Sequence, residues 1–100
     1  MGYTINDSDK RYNGWTNYAT WRVNLEIFDG RDADYFESEI RSGDVYTLSK
    51  SLKEYAEAVI SDFETHPESL AMDYARAFLA EVNFYEIAQH MMDAAQADAA

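Results

Sequence analysis

Apolar residues recur along this chain at steps of three and four, the spacing of one helix face, and nowhere in the sustained alternation of a half-buried strand. In the first such stretch Tyr18, Trp21, Leu25 and Phe28 share one arc, widened by Val23 and Ile27, with Arg22, Glu26 and Asp29 opposite. Thr16 or Asn17 can cap its start and Gly30 can stop it, which predicts a helix over 17–29. A shorter helix is predicted over 33–42, capped by Asp32, ended by Gly43, with Tyr35, Phe36 and Ile40 apolar. The third stretch is the most regular. Asp44 is its cap, Val45, Leu48, Leu52, Tyr55, Val59 and Phe63 form the apolar face, and Lys50, Lys53, Glu54, Glu57 and Glu64 line the other.

His66-Pro67 interrupts the pattern, since proline is tolerated in a first helical turn but not in an interior. The fourth helix, over 68–80, carries Leu70, Ala71, Tyr74, Ala75, Ala77, Phe78 and Leu79. These cover most of its circumference, so it is expected to be sandwiched, its alanines allowing close approach. The fifth begins with Asn83-Phe84-Tyr85-Glu86, a capping box flanked by Val82 and Ile87 at the staple positions. Phe84, Ile87, Ala88 and Met91 form its predicted buried face, and Glu86, Gln89, His90 and Asp93 point outward. The joints are short, so consecutive helices pack antiparallel. The expected fold is all-α, a single domain of about five short helices over 14–96, with a partly mobile arm at 1–13 and a frayed tail at 97–100.

Composition adds the class. One hundred residues, 47% hydrophobic and 15% aromatic, can bury a modest core. Cysteine is absent, which removes disulfides and thiolate chemistry. No apolar run approaches the roughly 20 residues that span a bilayer, and the first residues lack the order of a signal peptide, so the host cytoplasm is the expected location. The net charge is −11 and uneven. Residues 1–53 hold nine acids and seven bases, whereas 54–100 hold ten acids and one base, Arg76. Such a chain repels nucleic acid and anionic membrane.

Candidate chemistry is sparse. A catalytic serine or threonine would need His66 or His90 as base, and neither histidine sits in a recognisable motif. Glu86 and His90 are four apart, but two ligands do not make a metal site. The carboxylate pairs Glu37/Glu39, Glu54/Glu57 and Asp62/Glu64 lack the cleft that acid–base chemistry needs. Asp7-Ser8-Asp9 and Asp32-Ala33-Asp34 lack the glycine and closing glutamate of a calcium loop. No catalytic residue, metal ligand or cofactor is assigned, and the chain reads as no enzyme.

Tyr12 to Trp21 holds both tryptophans. Trp21 sits mid-arc, which makes it core, and Trp15 precedes the cap, where it can fold over the helix start. The rival reading is a platform with Tyr12 and Trp15 exposed for a partner. Asn24 is the polar interruption of the arc and, if buried, must satisfy its amide.

The run N-G-W-T-N-Y-A-T-W-R-V-N-L resembles the box N-G-W-T-N-Y-E-T-W, followed by V-x-L, of a family of small phage- and plasmid-borne proteins, and E-V-N-F-Y-E-I-A is similar to that family's later E-V-N-W-x-E-I-A. Ala19 stands where the family has Glu, so a Thr16 capping box would lack its acid and the helix start would weaken by about 0.5 kcal/mol. The resemblance implies a mobile-element origin, and such genes often accompany anti-restriction or anti-CRISPR functions.

Two functions follow as expectations. In the first, the chain is a non-enzymatic inhibitor that locally mimics nucleic acid and binds the basic groove of a host or phage protein through Glu54, Glu57, Asp62, Glu64, Glu86 and Asp93. In the second, it is a small interaction module docking through Tyr12 and Trp15, and its acidity only keeps it soluble.

Overall fold

Asn13 and Gly14 both take positive φ, 48° and 88°, as a type I′ turn demands. Tyr12 and Trp15 close that turn, Tyr12 N–H on Trp15 O at 3.0 Å and Trp15 N–H on Tyr12 O at 2.7 Å. The chain then enters five helices: α1 (Tyr18–Val23, continued by a π turn over Asn24–Phe28), α2 (Glu37–Ser42, preceded by a 3₁₀ turn over Ala33–Phe36), α3 (Val45–Asp62), α4 (Leu70–Ala80) and α5 (Phe84–Ala99). This is a computed structural model, which describes residues 12–29, 33–62, 66 and 68–99. No strand occurs among them. The arm up to residue 11, the cap Asp32, the stop Gly30 and Phe63 lie outside the described residues.

The core is built where α5 lies along α3. Leu48, Leu52 and Ala56 of α3 meet Phe84, Ile87, Ala88 and Met92 of α5, and Val23, Phe28, Phe36 and Leu79 close the cluster. Asp44 caps α3 as expected. Its Oδ1 accepts from the amides of Tyr46 at 3.1 Å and Thr47 at 3.3 Å, and its Oδ2 from the Thr47 hydroxyl at 2.7 Å. The Thr47 bonds, side chain first, hold this carboxyl below its ordinary value. A depressed pKa gives stability that is present above the unfolded pKa and is lost as pH falls through the folded one. The Tm difference between wild type and Asp44→Ala should therefore be open at neutral pH and close in acid. A difference that persists unchanged through the acid range would mean that the carboxylate is not the source.

α1 departs from the prediction in two ways. Its buried side is Ala19, Thr20, Val23 and Phe28, whereas Tyr18 is 42% and Leu25 43% exposed. Trp21 is half-buried and lies outside the central core cluster. The reason lies at both ends. Asn17, not Thr16, is the cap, its Oδ1 accepting from Thr20 N–H at 2.8 Å. With Asn17 as cap, Ala19 no longer occupies the capping-box position, and it is buried. At the other end the π turn inserts an extra residue, with Asp29 N–H reaching Asn24 O at 2.6 Å, and this brings Phe28 into the core without Leu25.

α4 is not sandwiched. It packs against α3 and α1 and fully buries only Met72 and Leu79, while Leu70 is 67% and Tyr74 69% exposed. Tyr35, read as apolar interior, is also exposed.

Candidate interaction surfaces

The two sequence boxes, about seventy positions apart, interlock. Glu86 Oε1 accepts from the Thr16 amide at 3.0 Å. The Asn83 amide donates to Thr20 Oγ1 at 2.9 Å, and Asn83 Nδ2 to Thr16 Oγ1 at 3.2 Å. Asn17 Nδ2 donates to Glu81 O at 2.8 Å, and the Thr20 hydroxyl donates to Asn17 Oδ1 at 2.7 Å. Half of the capping box forms, since Asn83 Oδ1 accepts from Glu86 N–H at 3.0 Å. The reciprocal half does not. The Asn83 amide is taken by Thr20, so the Glu86 carboxylate serves Thr16 instead.

This corrects one of the six predicted docking acids. Glu86 is 8% exposed and holds the N-terminal box, so it cannot meet a partner. Glu54, Glu57, Asp62 and Asp93 are exposed, and Glu64 lies outside the described residues. Asp93 Oδ1 accepts from Gln89 Nε2 at 3.2 Å. Glu57 stands beside two cations. With Lys53 and Arg76 it rims a groove of about 380 Å³ between α3 and α4, floored by Ile60, Met72 and Leu79. Arg76 also pairs with Asp73 at 3.5 Å. Glu54 lies in a shallow hollow with Tyr35 and Tyr55 between α2 and α3. The acidic face of α3 is thus interrupted by positive charge.

The Glu86/His90 pairing also dissolves. Glu86 turns inward, and His90 stacks on Trp15 with ring centroids 4.2 Å apart. Trp15 is half-buried and packed on the core, so of the two aromatic candidates it is the structural one. Among the described residues no group of three or more histidines and acids is placed to hold a metal.

Tyr12 belongs to a different cluster. Its ring meets Trp21 at 4.9 Å and, edge-on, Tyr18 at 5.2 Å; Tyr18 reaches Trp21 at 5.7 Å and Phe78 of α4 at 6.3 Å. Arg22 fixes the rim, its Nη1 donating to Tyr18 Oη at 2.7 Å and its Nε to Glu26 Oε2 at 2.9 Å. These contacts, the Tyr18 bond foremost, raise the Arg22 pKa above its ordinary value, so this guanidinium is a permanent charge at the patch edge. Sequence reasoning missed Tyr18 and Trp21 as surface residues because it placed both on the core arc. It missed Thr20 altogether, although an Asn-x-x-Thr spacing at a helix start was a usable sign.

No helix among the described residues is long and apolar enough to cross a membrane. No curated protein and no solved structure matches the chain. A family model matches residues 8–98 and takes in both interlocked boxes, so the chain belongs to DUF7249, a family of unknown function.

Proposed function

We propose that this chain is a non-enzymatic interaction module that docks on a partner protein through the aromatic patch of Tyr12, Tyr18 and Trp21. The observation that carries the reading is the position of these rings. They form a contiguous cluster at the start of α1, outside the central core, with Tyr18 42% exposed and a charged rim in Arg22 and Glu26. Tyrosine, tryptophan and arginine are the residues that dominate interface hot spots, because they combine large apolar area with a polar end. The hydrogen-bonded clasp between the two boxes supports it mechanically, since it fixes the helix start that carries Tyr18 and Trp21.

The acidic-mimic reading stands second, favoured by the exposure of Glu54, Glu57, Asp62 and Asp93. In that reading the chain is an anti-restriction or anti-CRISPR type protein in the bacterial cytoplasm, bound to a basic groove. Burial of Glu86 and the Lys53–Arg76 flank of Glu57 reduce the continuous negative face that it requires.

Capture from a bacterial lysate, read by mass spectrometry, separates the two. Wild type is compared with a Tyr12→Ala/Trp21→Ala variant and with a Glu54→Gln/Glu57→Gln/Asp62→Asn variant, at low and at physiological salt. The aromatic variant should lose the captured protein, and the charge variant should keep it at both salts. Retention by the aromatic variant, with loss in the charge variant and in salt, would transfer the function to the acidic face.

A further inference from the structure

Between α2 and α3 lies an aromatic hollow whose only charges are negative. Its walls are Tyr35, from the 3₁₀ turn, and Tyr55 of α3, with ring centroids 5.1 Å apart and planes inclined at 57°. Buried Phe36 stands edge-on to both, 4.9 Å from Tyr35 and 5.5 Å from Tyr55. Glu39 of α2 and Glu54 of α3 complete the lining of a space of about 390 Å³. The Ser51 hydroxyl donates to Glu39 Oε2 at 3.3 Å and so ties that carboxylate to α3. Among the described residues no base lines the hollow, and Glu39 and Glu54 enter no ion pair. The neighbouring bases are placed elsewhere. Arg41 pairs with Glu37, Lys50 lies over the Tyr46 ring at 5.6 Å, and Lys53 rims the α3–α4 groove.

We propose that this hollow receives the guanidinium of an arginine side chain carried by a partner protein. Aromatic faces attract cations because the ring quadrupole is negative above its plane. Two carboxylates on the same rim attract the same charge and accept its hydrogen bonds. Arginine suits the site better than lysine, since its flat, delocalised head can stack on a ring and present a fork of donors to a carboxylate at once. The source follows from the charge of the lining. A free amino acid would bring its own carboxylate to Glu39 and Glu54, with no base to receive it. Within a polypeptide that carboxylate is spent in an amide bond, and only the cation arrives. The hollow is open, so one side chain adds only a few-fold to affinity. It shares no residue with the patch of Tyr12, Tyr18 and Trp21, and a partner held by that patch is kept, less tightly, when Glu54 is neutralised.

The test is an NMR titration of the full ¹⁵N-labelled chain at constant ionic strength with N-acetyl-arginine amide, an arginine side chain without main-chain charges. The amides of Tyr35, Glu39, Glu54 and Tyr55 should shift together and saturate with a Kd on the order of 1 mM. N-acetyl-citrulline amide, its neutral isostere, should leave them in place. N-acetyl-lysine amide and free arginine should both bind more weakly. Tyr35→Ala and Glu54→Gln change exposed positions, so they should keep the helical circular dichroism spectrum, and each should raise the Kd about two- to fivefold. Glu57→Gln removes one charge from the same helix outside the hollow and should leave the Kd unchanged. Shifts that the citrulline probe reproduces overturn the proposal, as do shifts that fail to saturate by about 50 mM, well above the Kd expected for one side chain. So does a loss in Glu57→Gln equal to that in Glu54→Gln, which would mean diffuse attraction to an acidic surface. Lysine binding as tightly as arginine overturns the choice of guanidinium, and free arginine binding as tightly as the amide overturns the polypeptide source. None of these outcomes touches the Tyr12 patch, whose own test is the capture experiment.

Discussion

Ile87→Ala should destabilise the domain by about 2–5 kcal/mol, the range for removing a large aliphatic side chain from a packed interior. Ile87 is 0% exposed and sits in the cluster that joins α5 to Leu48 and Leu52 of α3. These two helices form the main seam of the fold. A cavity there cannot collapse without moving one against the other. Against total stabilities of about 5–15 kcal/mol for small domains, such a loss leaves a large part of the chain unfolded at physiological temperature. Trp21→Ala is the comparison. A half-buried ring in a surface cluster should cost clearly less, despite its larger volume. Thermal melts of the two variants decide the matter, and equal losses would return Trp21 to the core and remove the aromatic patch as a docking surface.

The second large effect is expected from Thr20→Val, a change of one hydroxyl for one methyl at a site with no solvent exposure. The hydroxyl accepts from the Asn83 amide and donates to Asn17 Oδ1. Valine fills the same space but leaves the Asn83 donor without its acceptor. An orphaned donor in a buried setting costs about 1–3 kcal/mol. Thr20→Ser keeps the hydroxyl and should recover most of the loss. If Thr20→Val melts with wild type, the clasp contributes nothing and the two boxes are held together by packing alone.

The helices were legible in the sequence because burial imposes its period on them. α3 is the clearest case: Val45, Leu48, Leu52 and Tyr55 follow the steps of three and four and lie in or against the core, and Asp44 caps as its position implies. What a single helix cannot disclose is which neighbour satisfies its polar groups. Glu86 illustrates the difficulty. A helical wheel turns it outward and a capping box turns it toward Asn83, and both descriptions use only residues of α5. Its partner is Thr16, which no local pattern names. Leu25 illustrates a second difficulty. The wheel assumes a constant turn, and the π segment after Val23 breaks that assumption midway. Trp21 follows from both: once Asn17 and Thr20 bond to the α4–α5 joint and Ala19 is buried beside them in sequence, the arc that had looked like core is rotated toward solvent. For the candidate site, Tyr12 was legible as an aromatic beside a turn, whereas its companions Tyr18 and Trp21 were hidden by the rotation.

The clasp between the two boxes has a consequence for how the chain opens. Terminal segments of small domains ordinarily loosen one at a time, each at little cost. Here the Thr16 amide is held by a carboxylate of α5, and the Asn83 amide by a hydroxyl of α1. Neither segment can release its bond without stranding a polar group on the other. The two boxes therefore form a single cooperative unit, and the clasp closes a loop containing α2, α3 and α4. Closure entropy grows only slowly with loop length, so the length of the segment between the boxes matters little to this unit, whereas a cut that removes either box deprives the other of its bonds at once.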